Sequence, residues 1–238
     1  MRTLSATELL QVWERGLRQL PFQRALALLA AACPDESADA LAELSIGQRD
    51  SRLLTLRAWT FGPKVASVAR CPVCAAQVDL LFCVDDIRAA EPQALVFALP
   101  VEDYIIELRL PNSRDLGALV AEHSEQVLLK RCLLSVARSG QPCNAGALPP
   151  EVVRQAVEQL ALADPQADVQ LALVCPVCGH PWQAPFDIVS FFWSEIDAWA
   201  GRMFREIHAL ALAYGWREEE ILALSPLRRR MYLEMIGV

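Results

Sequence analysis

Two four-residue segments of this chain are identical, Cys71-Pro72-Val73-Cys74 and Cys175-Pro176-Val177-Cys178, and they stand 104 residues apart. Two residues between the cysteines of a pair let both sulfurs face one ion while the amides of the turn stabilise their charge. Two such pairs supply the four thiolates of a tetrahedral Zn²⁺ site, as in a zinc ribbon. The likeness runs on: Phe82 falls where Phe186 sits and Val84 where Ile188 sits, so each copy reads as a knuckle running into a strand. Compact ribbons separate their pairs by about 15–20 residues, whereas 100 residues lie between Cys74 and Cys175. The spacing therefore predicts a split ribbon whose halves pair in space around an insertion. Two other readings use the same residues. A thioredoxin-type redox motif sits at a helix N-terminus, and both copies here lead into strand-like sequence. Ordinary buried thiols would leave the identity of the halves without a reason. Four thiolates fill the coordination sphere, so the expected Zn²⁺ is structural rather than catalytic.

No other group of residues has spacing that suits chemistry. Cys33, Cys83, Cys132 and Cys143 lack a paired partner, and Cys33 and Cys132 lie among Ala and Leu, where a thiol acts as a small hydrophobe. His180 is close enough to Cys178 to be a fifth ligand but suits a turn residue better, and His123 and His208 are isolated. No Ser/His/Asp or Cys/His arrangement and no phosphate-binding Gly-rich loop can be assembled; Gly62-Pro63 and Ser139-Gly140 read as turns. Asp85-Asp86 and Glu218-Glu219-Glu220 read as solvated faces or helix N-terminal charges. The expectation is a protein that is not an enzyme.

The bulk numbers agree. With 54% hydrophobic and 21% charged residues the chain is not disordered, and 238 residues suffice for one large domain or two small ones. A net charge of −7 argues against broad nucleic-acid binding. The longest apolar run, Ala25 to Cys33, falls well short of the roughly 20 residues a membrane span needs, and Met1 to Leu10 carries no signal-peptide pattern. The expected location is cytoplasmic, where eight cysteines point to metal or buried thiols rather than disulfides.

The elements that must position the cysteines can be sketched from periodicity. Glu8 to Leu20, Phe22 to Cys33 and Ser45 to Trp59 read as helices, the first two stopped by Pro21 and Pro34. Gln77 to Phe82 is strand-like, and Leu95 to Leu110 reads as a hairpin with Tyr104, Ile106, Leu108 and Leu110 on one buried face. Asn112 or Ser113 can cap a helix from Arg114 to about His123. Glu125 to Arg138 is expected to be helical, Gln141 to Pro149 a loop, and Pro150 to about Leu162 a helix with proline in its first turn. Val169 to Val174 is a short strand before the second cysteine pair, and the chain from Ile188 onward is nearly all helix. The expected fold class is α+β, mainly helical, with a split zinc ribbon and a small antiparallel sheet. Three segments follow: an N-terminal helical region 1–66, the split ribbon with its strand and helical insertion 67–187, and a C-terminal helical arm 188–238.

The arm is the second informative region. Phe192, Ile196, Trp199, Met203, Ile207, Leu210 and Tyr214 form one apolar stripe, which by default faces a core. Phe191, Trp193 and Phe204 add aromatic bulk at other angles, and Trp193, Trp199, Trp216 and Tyr232 are candidate partner-binding residues. A short helix follows Gly215, and Ser225-Pro226 opens a last one with Arg228-Arg229-Arg230. Helix, turn, helix and a basic cluster invite a DNA-binding reading, but one three-arginine cluster on an acidic chain neutralises few phosphates.

Several segments together resemble a known family. They are Arg52-Leu53-Leu54-x-Leu56-Arg57-x-x-x-Phe61-Gly62 ahead of Cys71-Pro-x-Cys74, Arg109-Leu110-Pro111-Asn112-Ser113-x-Asp115-Leu116, the second Cys-Pro-x-Cys, and Glu206-Ile207-His208-x-Leu210-Ala211-x-x-Tyr214-Gly215-Trp216-x-Glu218-x-Glu220-Ile221-Leu222-x-Leu224-Ser225. The combination resembles baseplate and hub assembly proteins of contractile phage tails and extracellular contractile injection systems, over about residues 45 to 236. The resemblance implies a non-enzymatic role in building a baseplate, as assembly chaperone or minor subunit, with baseplate or hub proteins as partners and no catalytic residues to carry over. The alternative from another class is a zinc-ribbon nucleic-acid-binding or regulatory protein.

Overall fold

The computed structural model describes residues 1–122, 125–144, 146 and 148–237. His123, where one helix was expected to end, and Val238, the last residue of the arm, lie outside the described residues, as do two positions of the loop expected over 141–149. By spatial contact the chain forms two compact units, Asp35–Ile188 and, from the two ends together, Met1–Pro34 with Val189–Val238. The fold is α+β, with mostly helical chain and small antiparallel sheets. Among the described residues no helix is long and apolar enough to cross a membrane.

In the unit built from the ends, α1 (Ala6–Gly16) starts at Ser5, whose hydroxyl accepts from the Glu8 amide while Glu8 returns a bond to the Ser5 amide. This capping box satisfies amides that the first turn leaves unpaired. Helix α2 (Pro21–Ala32) buries Leu28 and Leu29. The long α8 (Ile188–Tyr214) is stopped at Gly215, whose φ of 69° continues the chain in a left-handed conformation. Helices α9 (Glu218–Ala223) and α10 (Pro226–Met235) follow. The apolar stripe of α8 is core: Ala200, Met203, Ile207 and Leu210 pack with Leu10, Ile221 and Leu233. Trp193 packs on Gly16, where a Cβ would lie 2.1 Å from the indole, and stacks under the Arg24 guanidinium. The Trp13 indole N–H donates to Asp197 at 2.9 Å.

In the unit Asp35–Ile188, α3 (Ala38–Glu43) leads into α4 (Ile46–Phe61), which Ser45 caps. A hairpin follows, β1 (Lys64–Arg70) with β2 (Gln77–Cys83), and then a second, β3 (Val96–Val101) with β4 (Tyr104–Arg109). Tyr104, Ile106 and Leu108 alternate into a core shared with Val136, Val152 and Ala156, as period-two patterning requires. The corner after β4 is an electrostatic knot. Asp115 is fully buried at the start of α5 (Ser113–Glu122), accepting both Arg109 guanidinium nitrogens at 2.6 and 2.8 Å, the Arg131 Nε at 2.8 Å and the Asn112 amide at 3.0 Å. Burial alone would raise this carboxyl, but Arg109, the Asn112 amide and Arg131 hold it below the usual carboxylate range.

The stretch expected to be one helix from Glu125 to Arg138 is instead α6 (Glu125–Cys132) followed by β5 (Leu133–Arg138), which pairs with β4. Val136 is buried on that sheet, so cross-strand pairing overrides a local helical pattern. A two-residue β6 (Gln141–Pro142) completes the sheet β3-β4-β5-β6. Helix α7 (Pro150–Ala163) then returns the chain to β7 (Val169–Val174) and β8 (Pro181–Phe186).

The return is pinned at two buried points. Asp164 donates nothing and accepts the Gly47 amide at 2.8 Å, adding a carboxylate to the N-terminal turn of α4. The Gln166 side chain accepts the Ala89 amide at 2.8 Å and donates to the Ile87 carbonyl at 3.3 Å. Glycine is required at 47: a Cβ there would lie 1.8 Å from Asp164 Oδ1. Gly47→Ala should therefore destabilise the protein in urea titration by about 1–3 kcal/mol, the cost of a broken buried hydrogen bond. An unconstrained helix position would instead gain up to about 1 kcal/mol from the same change. A stabilised variant would show that the Asp164 cap contributes nothing.

Candidate metal centre

The two cysteine pairs sit at the tips of hairpins β1–β2 and β7–β8, which share a register through the same 104-residue offset: Val65 faces Phe82 and Val169 faces Phe186. In each tip the first cysteine's amide closes the turn, Cys71 to the Ala76 carbonyl at 3.0 Å and Cys175 to the His180 carbonyl at 2.9 Å. The residue after the second cysteine turns left-handed in both, Ala75 at φ 57° and Gly179 at φ 73°. His180 is thus a turn residue by its backbone. The equivalent aromatic rings meet edge to face, Phe82 against Phe186 with centroids 5.6 Å apart, and this contact holds the hairpins side by side.

The sulfurs converge. Cys71 and Cys178 Sγ are 3.6 Å apart, as are Cys74 and Cys175 Sγ, and all four lie within 4.8 Å of one another. Four sulfurs at about 2.3 Å from a tetrahedral zinc are about 3.8 Å apart, so the set is sized for one such ion. The separations also far exceed the ~2.05 Å of a disulfide. The first cysteine of each pair is buried, at 2% and 1% exposure, and the second is exposed.

Electrostatics follow the knuckle geometry. Chiefly the Cys74 amide, then that of Val73, draws the Cys71 thiol below its ordinary range. The corresponding Cys178 and Val177 amides bring Cys175 down to about 6. The His180 amide also favours the Cys178 thiolate, but burial and the three neighbouring sulfurs outweigh it and push that thiol up to about 12. Without a cation the four sulfurs cannot all ionise; a divalent ion at their centre removes that conflict.

The other cysteines are dispersed. Cys33 and Cys132 are buried, and burial pushes the Cys132 thiol up to about 11, which makes it inert. Cys83 is half-buried at the end of β2, and Cys143 is exposed. His208 is exposed on α8. Of the arm residues, Trp193 is 7% exposed, while Trp199, Trp216 and Tyr232 are half-buried around the α8–α10 core. Trp216 stacks on Tyr214 with centroids 4.7 Å apart and meets Tyr232 edge-on at 4.8 Å. The sequence reading did not include β1, although extending the 104-residue offset backward from β7 would have placed a strand there.

Differential alkylation tests the site. With iodoacetamide on native protein supplied with zinc, Cys143 should label fastest among the exposed thiols, with Cys74 and Cys178 protected. Stripping the metal with a chelator should raise the labelling of those two above their zinc-loaded rate, read by peptide mass spectrometry. Equal labelling in both states would show that no ion occupies the four sulfurs.

No curated protein and no solved structure matches the chain. A sequence profile of the family described as T4 bacteriophage base plate protein matches residues 7–193, which span both cysteine pairs and every strand. By that match, covering well over half its length, the chain belongs to the T4 bacteriophage base plate protein family.

Proposed function

We propose that the protein is a non-enzymatic structural or assembly subunit of the baseplate of a contractile phage-tail-like particle, held together by one structural Zn²⁺ on Cys71, Cys74, Cys175 and Cys178. The family match over residues 7–193 carries the reading. Zinc is favoured because an all-thiolate tetrahedral set suits it, and four protein ligands leave no open position for water or substrate. An ion so held is a cross-link between the two hairpins.

Partner contact falls to the C-terminal segment. Trp216 and Tyr232, with Tyr214, form a half-exposed aromatic cluster of the kind enriched at interface hot spots. Trp199 lies in the shell of the same core, and Trp193, seated on Gly16, anchors α8. Nucleic acid is disfavoured as a partner because the basic cluster is partly spent. Arg229 is buried and paired with Glu206 at 2.7 Å, and Arg230 lies 3.6 Å from Glu234.

Elemental analysis should give about one zinc per chain. Cys71→Ser or Cys175→Ser should lose the metal and lower folding stability together. Two ions per chain, or none in carefully reduced protein, would refute the zinc assignment. For the partner surface, Trp216→Ala or Tyr232→Ala should keep fold and zinc while losing co-purification with baseplate proteins. If both variants capture the same proteins as the wild type, the contact lies elsewhere. An anisotropy titration with duplex DNA near physiological salt should show only weak non-specific binding; sub-micromolar, sequence-dependent affinity would favour the regulatory alternative.

A further inference from the structure

Hairpins β1–β2 and β7–β8 are separate two-stranded sheets, so each of their strands keeps one unpaired edge. Along such an edge every second residue turns its N–H and C=O outward, a template for another strand. Proteins blunt edges with proline or cationic residues, and two of the four strands here are blunted. β8 carries Pro181 and Pro185, whose missing N–H groups fall on its free side, and β1 is bounded by Lys64 and Arg70. β2 and β7 contain no Pro, Lys or Arg.

These two open strands border the same groove, of about 650 Å³, within the usual range for a binding cleft. Its walls are consecutive residues, 79–82 of β2 and 169–173 of β7. Consecutive lining means that the groove runs along strand edges rather than over a pleated face, where only alternate residues would show. Among the described residues, neither stretch makes a backbone hydrogen bond outside its own hairpin. Leu81 stands 75% exposed on this edge, a liability unless it is covered in use. Asp79, Asp86 and Asp168 rim the groove, and its one cation, Arg88, is engaged by Asp85 and Thr55.

We propose that this groove is a β-augmentation site for an extended segment of another protein, apolar at alternate positions and carrying lysine or arginine. The free main-chain groups would supply pairing, Leu80, Leu171 and Leu173 would receive alternate side chains, and the aspartates would select the cations. The four lining residues of β2 and five of β7 offer roughly 13–17 Å of strand at about 3.3 Å per residue, enough to pair a short extended segment. The site belongs to the Asp35–Ile188 unit and stands independently of the C-terminal aromatic cluster.

The test uses the full, zinc-loaded chain and a displayed library of random heptapeptides. The expected outcome is enrichment of peptides with alternating aliphatic residues and at least one Lys or Arg. The enriched peptides should bind at least tenfold more weakly to the double variant Asp79→Lys, Asp168→Lys, whose positions are exposed and whose zinc content should be unchanged. A bound peptide should also slow amide exchange within β2 or β7, the signature of backbone pairing. Absence of a consensus would overturn the proposal. So would peptides that bind the double variant equally or leave β2 and β7 exchange unaltered. Concentration-dependent self-association abolished by the double variant would assign the groove to a second copy of the chain and overturn it as well.

Discussion

The arrangement of the central unit depends on bringing four sulfurs within 4.8 Å of one another although 100 residues separate the two pairs. Closing a loop of that length is costly in chain entropy: a cross-link of about 100 residues is worth on the order of 4.7 kcal/mol in the simplest treatment. The fold distributes this cost over several contacts. Asp164 on the Gly47 amide and Gln166 on Ala89 and Ile87 fix where the chain comes back, and Phe82 against Phe186 aligns the hairpins. An ion at the sulfurs would then complete an arrangement already assembled by hydrogen bonds and packing.

Buried charge in this protein serves architecture. The Arg109-to-Asp115 segment has the look of a functional motif, yet its carboxylate is consumed by two guanidiniums and a backbone amide at a strand-to-helix corner. That corner is bound in turn to the start of α4, through the Ile46 amide on the Pro111 carbonyl at 3.0 Å. Removing one member of such a set strands the others away from water, so these residues depend on one another without any catalytic task. Arg229 with Glu206 repeats the pattern near the C-terminus.

The parts legible in the sequence were those with local signatures. Identical Cys-Pro-Val-Cys turns announced the hairpin tips, and alternation announced β4. Ser45 and Ser225 with the following proline marked helix starts. What stayed hidden depends on distant residues. Leu133 to Arg138 is a strand because β4 offers a free edge beside it, and nothing within the segment records that. α3 is only six residues long, too short for periodicity to speak. The pairing of Gly47 with Asp164 links positions 117 apart, and neither residue is distinctive alone. The sharing of one unit by Met1–Pro34 and Val189–Val238 is likewise invisible along the chain.

That shared unit sets an order of events during translation. Leu9, Leu10, Leu28 and Leu29 belong to the first 34 residues, yet Leu10 finishes its packing only against residues from Ala200 onward. At ribosomal speeds of about 5–20 residues per second, some 150 intervening residues impose a wait on the order of ten seconds. The Asp35–Ile188 unit is complete first, while the nascent N-terminal helices hold apolar surface open until the last fifty residues emerge. A newly made chain is therefore vulnerable to aggregation through Met1–Pro34, and that hazard ends only when Val189–Val238 has left the ribosome.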